Sequence, residues 1–156
     1  MKRILYSGGH YDDNMDLDLE LIRLTGKVYP SMTFIPSDSY HGEEDFDEFV
    51  AHFEHYDFSN LNYFPVDRPF TSSMMVDALK RDVIFLSGGN TYYFLHYLRT
   101  SGLLSMLSGF LRDGGVLAGL SAGAIIMSPH IQTATFPEWD CDENEVKLKN
   151  LKVSEN

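Results

Sequence analysis

The chain has 156 residues, 44% of them hydrophobic and 13% aromatic, which suits one globular domain with a sizeable core over residues 1–156. Its formal net charge of −11 argues against nucleic acid, because a phosphate backbone demands clustered Lys and Arg. No apolar run approaches membrane-spanning length, Met1-Lys2-Arg3-Ile4 leads into a strand rather than a signal peptide, and the single Cys141 excludes an internal disulfide framework and suits a reducing cytoplasm.

Strands and helices alternate along the chain. Arg3 to Tyr6 reads as a first strand, closed by Ser7-Gly8-Gly9. Asp12 to Glu20 reads as an acidic helix start with a solvated face, and Leu17, Leu19, Leu21, Ile22 and Leu24 form a largely helical apolar set ending near Gly26. Met32 to Ile35 is a second strand stopped by Pro36. Glu43 to His55 is an acidic helix with Phe46, Phe49, Val50 and Phe53 at helical spacing, and Leu61 to Phe64 is a third strand. After a short helix at Met74 to Leu79, Val83-Ile84-Phe85-Leu86 has the continuous apolar run of a strand buried on both faces. It ends in Ser87-Gly88-Gly89-Asn90-Thr91. Helices follow over Tyr92 to Arg99 and Leu103 to Arg112, and Asp113-Gly114-Gly115 turns the chain into the strand Val116-Leu117-Ala118. Beyond Pro129, Ile131 to Phe136 reads as a strand or an extended loop, and Lys147 to Lys152 alternates Leu with Lys.

This alternation predicts an α/β fold, a parallel sheet between two helical layers, with ligands bound at the carboxyl ends of the strands. Three glycine-rich loops fall at such ends and should face one crevice: Ser7-Gly8-Gly9-His10, Ser87-Gly88-Gly89-Asn90 and Leu120-Ser121-Ala122-Gly123.

The last of these carries the most chemistry. Gly119-Leu120-Ser121-Ala122-Gly123 follows a strand, and Ala124-Ile125-Ile126-Met127 can begin a helix. A serine on so sharp a turn is pushed clear of the backbone, and the amides opening the helix point where an oxyanion would form. The glycines are needed because side chains would clash where the chain doubles back. Serine alone is a poor nucleophile, so the motif implies a base nearby and a group to orient it.

Taken together, Leu86-Ser87-Gly88-Gly89-Asn90-Thr91 and Ala118-Gly119-Leu120-Ser121-Ala122-Gly123-Ala124 resemble the dipeptidase E branch of the S51 serine peptidases, a family that includes cyanophycinase. The resemblance runs from Met1 to about Gln132 and implies a three-layer fold like that of class I glutamine amidotransferases, of flavodoxin-like type. It further implies that Ser121 is the acylated nucleophile, that the Gly89 and Ala122 N–H groups form the oxyanion hole, and that Asn90 and Thr91 shape the substrate end of the cleft. The substrate would be a small peptide, with no metal or organic cofactor. The family's histidine lies on an aromatic-Pro-His segment at the end of a later strand, which Pro129-His130 does not match. A chain short at its C-terminal end and lacking that histidine is therefore expected, and aspartyl-dipeptide specificity is in doubt. A degenerate, non-catalytic homologue acting as a binding protein is the rival reading.

The remaining candidates have plainer readings. His10, at the end of the first strand, should face the crevice as a substrate contact or a substitute base. His52 and His55 share a helix face but lack a third metal ligand, and His96 sits in an aromatic helix face. His130 reads as loop structure. A homodimer is the default expectation for a soluble protein.

Overall fold

Five of the apolar runs pair side by side into one parallel sheet, in the order β1-β5-β4-β2-β3. The computed structural model describes residues 1–9 and 11–135; the expectations at His10, Phe136, Cys141 and Lys147 to Lys152 lie outside the described residues. The strands are β1 (Lys2–Tyr6), β2 (Ser31–Ile35), β3 (Asn60–Tyr63), β4 (Val83–Leu86) and β5 (Val116–Leu120). The helices are α1 (Met15–Thr25), α2 (Gly42–Phe53), α3 (Ser72–Leu79), α4 (Thr91–Thr100), α5 (Leu103–Arg112) and α6 (Ala122–Ile126).

Side-chain alternation divides the core between the two faces of the sheet. In β4, Val83 and Phe85 join Ile4, Leu21, Phe34, Phe49 and Phe53 beneath α1 and α2. Ile84 and Leu86 turn the other way, to Phe94, Leu98, Leu103 and Leu107 on α4 and α5. All four residues of β4 are buried, as a central parallel strand requires. The result is the three-layer α/β fold expected from the sequence. Among the described residues, no helix is long and apolar enough to cross a membrane.

Several boundaries move by one or two residues for local reasons. Helix α3 begins at Ser72 because Thr71 caps it, its hydroxyl accepting from the Met74 amide at 3.3 Å. Strand β3 begins at Asn60, although the Phe64 amide still donates to the Phe34 carbonyl at 3.0 Å. Ahead of α1 the chain forms a short 3-10 turn over Tyr11–Asn14. The stretch from Ile131 is neither strand nor extended loop: Gln132–Thr135 is a 3-10 turn. A strand would send Ile131 and Ala134 to opposite faces. The turn instead buries Ala134 and packs Ile131 on the α4–α6 layer.

The strand order positions the site. With β5 between β1 and β4 and all three parallel, Tyr6, Leu120 and Leu86 end at one edge of the sheet, so the loops that follow them share a crevice.

Candidate active site

Ser121 is the only non-glycine among the described residues with positive φ, at φ 49° and ψ −107°. Such a conformation costs about 1–3 kcal/mol and persists only where its surroundings impose it. Here the main chain is held on both sides of the turn. The Ser121 N–H donates to the Tyr6 carbonyl at 2.9 Å, and the Ser121 carbonyl accepts from Ile125 N–H at 2.9 Å. Two residues on, Gly123 N–H donates to the Ser87 carbonyl at 3.1 Å, tying the start of α6 to the end of β4.

Close packing explains both motif glycines. A Cβ at Gly119 would stand 2.6 Å from the Gly123 carbonyl group, and one at Gly123 would collide with the Leu86 carbonyl oxygen and lie 2.7 Å from Leu86 Cβ. Neither can be accommodated unless α6 lifts from the sheet. The Ser121 side chain is left half-buried.

The loop after β4 meets this turn. A Cβ at Gly88 would be 3.6 Å from Ser121 Cβ. Gly89 has φ 135°, and a Cβ there would overlap Ser37 Oγ and stand 2.7 Å from Ser37 Cβ. Ser37 is buried behind the loop, its N–H donating to Ser87 Oγ at 2.7 Å, while Ser87 Oγ donates to the Gly88 carbonyl at 3.0 Å. Farther out, Asp67 Oδ2 accepts from Ser39 N–H at 2.8 Å, from Ser39 Oγ at 2.9 Å and from the Tyr93 hydroxyl at 3.2 Å, joining the loop after β2 to α4.

Of the residues expected from the sequence, Ser121, Gly89 and Ala122 come together around the ends of β4 and β5. Ala122 is the first residue of α6, so its N–H has no acceptor within the helix. Asn90 caps α4, with its side-chain oxygen accepting from Tyr93 N–H at 3.0 Å, and Thr91 is buried in that helix's first turn. His10 lies outside the described residues. His130 is exposed, and its carbonyl accepts from Ser128 Oγ at 2.7 Å. Among the described residues no histidine is hydrogen-bonded to Ser121.

A cavity of about 470 Å³ opens beside Gly88 and Gly89 and extends between α1, α2 and the sheet. One of its walls is Asp18, which the acidic run Asp12 to Glu20 had suggested would be solvated. It is only 1% exposed. Its carboxylate accepts from the Tyr6 hydroxyl at 2.9 Å and the Tyr56 hydroxyl at 3.3 Å, and contacts His52 Nε2 at 2.7 Å. A buried carboxylate is tolerated only with partners of this kind. Burial, reinforced by the adjacent Asp18, pushes the Tyr6 hydroxyl far above its ordinary pKa, so it remains a donor. Sequence reasoning missed Asp18, Ser37 and Asp67. The only local signal was that Asp18 occurs among residues at helical apolar spacing.

Comparison with known proteins identifies the family and the fold. The profile of peptidase family S51 matches residues 3–153. An uncharacterized peptidase of Bacillus subtilis (strain 168), YgaJ, is 31% identical over 131 residues, which are 80% of this chain and 56% of that protein. An uncharacterized peptidase of Listeria monocytogenes is 35% identical over 71 residues, 46% of this chain and 34% of its own length. The chain thus spans little more than half of the longer-matching curated relative. A crystal structure from Listeria monocytogenes EGD-e, provisionally designated peptidase E, superposes with a TM-score of 0.73 at 24% identity, covering 93% of this chain and 69% of that one. At that identity the likeness establishes the fold.

Proposed function

This chain belongs to peptidase family S51, and on that premise we propose that it is a cytoplasmic serine-type hydrolase of small peptides with Ser121 as its nucleophile. The observation that carries this reading is the backbone of Ser121: a serine with positive φ between a buried strand and a helix, on a turn packed too tightly at Gly119 and Gly123 for any side chain there. Ser121 Oγ attacks the peptide carbonyl carbon while a histidine, which none of the described residues supplies at Ser121, takes its proton. The resulting oxyanion is held by the N–H groups of Gly89 and Ala122, each worth roughly 3–4 kcal/mol of barrier. The proton then passes to the leaving amine, and water releases the acyl group by the same route. Asn90 and Thr91 border the substrate end of the cleft, and His10 is a substrate contact. The chemistry as written uses no metal or organic cofactor.

A second reading, a non-catalytic binding protein that keeps the fold, draws on the finding that no described histidine is bonded to Ser121. Labelling with a serine-directed fluorophosphonate separates the two. The hydrolase reading expects wild type to label and Ser121→Ala to remain unlabelled. If wild type is inert, the binding reading stands instead. Loss of labelling in His10→Ala would make His10 the base rather than a substrate contact.

A further inference from the structure

The cavity beside Gly88 and Gly89 is built in a way that the chemistry at Ser121 does not demand. At about 470 Å³ it has room for a large side chain. Its floor is aromatic, lined by Tyr6, Phe34, Phe53 and Phe85, each at most 3% exposed. These rings pack against one another, with Tyr6 and Phe85 centroids 5.5 Å apart and Phe34 and Phe85 6.2 Å apart. Protein cores ordinarily close such gaps. Here the rings stop short, and the space they leave opens beside the glycine whose amide faces the reacting carbonyl in the proposed mechanism. The mouth is different in character: Asp45 and Glu48 of α2 lie there, both exposed. At depth the carboxylate of Asp18 is already engaged by Tyr6, Tyr56 and His52. Among the described residues lining the cavity there is no Lys or Arg.

Resting on the peptidase reading above, we propose that this cavity is a side-chain subsite of the Ser121 centre and selects a bulky, non-acidic residue of a peptide. The aromatic floor rewards removal of apolar surface from water. Each methylene that such a pocket contacts is worth about 10- to 200-fold in discrimination. An Asp or Glu side chain entering the same space would lose hydration beside like charges, with no Lys or Arg among the described lining residues to replace the water. An aspartyl substrate is therefore disfavoured at this position, whereas phenylalanine or arginine is accommodated.

The test is isothermal titration calorimetry of the whole protein with N-acetylated, C-amidated Gly-Phe-Gly, Gly-Arg-Gly, Gly-Asp-Gly and Gly-Gly-Gly. The phenylalanine and arginine peptides should bind at least about tenfold more tightly than the aspartate and all-glycine ones. The Asp45→Lys/Glu48→Lys variant changes only an exposed helix face, and its fold is checked by circular dichroism. It should strengthen the aspartate peptide by about fivefold or more relative to phenylalanine. Equal or tighter binding of the aspartate or all-glycine peptide, or no binding of any peptide at about 10 mM, a concentration at which even very weak complexes form, overturns the inference. Fluorophosphonate labelling of the same sample reports on the hydrolase reading independently. Labelling without the phenylalanine preference sinks the subsite alone, and the preference without labelling sinks the hydrolase alone.

Discussion

Tyr6 joins the Ser121 turn to the buried Asp18 cluster: its carbonyl accepts from Ser121 N–H at 2.9 Å, and its hydroxyl donates to Asp18 at 2.9 Å. One residue at the end of β1 thus bonds the strained serine through its main chain and lines the adjoining cavity with its ring.

The strain at Ser121 should be visible as stability. Ser121→Gly removes a positive-φ side chain while retaining the turn's hydrogen bonds. Relief of the strain outweighs the extra freedom of glycine in the unfolded chain, so the variant should be more stable by about 1 kcal/mol. It should also lose all fluorophosphonate labelling. Urea denaturation of both proteins measures the first effect, and a destabilised variant would show that the serine is not strained.

Two glycines should respond oppositely to alanine. Gly123→Ala drives a methyl group into the Leu86 carbonyl and should cost about 2–3 kcal/mol. Gly109 lies inside α5 with only the Arg112 guanidinium near its Cβ position, at 3.9 Å. Gly109→Ala should therefore stabilise by about 0.5–1 kcal/mol. Thermal melts of the two variants provide the comparison.

Removing Asp18 leaves the Tyr6 hydroxyl and His52 without a carboxylate that is almost entirely buried. Asp18→Ala should cost about 3–4 kcal/mol. A double-mutant cycle with His52→Ala should yield a coupling of at least about 1 kcal/mol. Additive losses would mean that the two side chains are neighbours without a mutual dependence.

At the opposite end of the sheet, Asp82 accepts from Ser31 N–H at 2.8 Å and Ser31 Oγ at 2.9 Å, and pairs with Lys27. Burial opposes its ionisation, but the Lys27 and Ser31 hydrogen bonds prevail and hold its pKa below the ordinary carboxylate value. A lowered folded-state pKa contributes stability above the unfolded value of about 4, and that contribution is lost as pH falls through the folded value. The stability gap between wild type and Asp82→Asn should be widest above about pH 4 and close below it. Urea midpoints across that range decide it, and a gap that widens on acidification would contradict this assignment.

What could be read from the sequence was whatever depends on neighbours along the chain. The buried run Val83 to Leu86 forms β4, and the two glycines around Ser121 set the turn, because each is decided within a few residues by sterics and hydrogen bonding. The membership in an α/β class and the crevice at the strand ends followed from the same alternation. Only the tertiary structure decided that β2 pairs with β4, which presses Ser37 behind Gly89, and that Asp18 meets His52 of α2. An aspartate in an acidic run looks solvated until a distant helix covers it. Such contacts come from packing two helical layers on one sheet, where burial is set by elements far apart in sequence, and no local pattern encodes which partners a side chain will find.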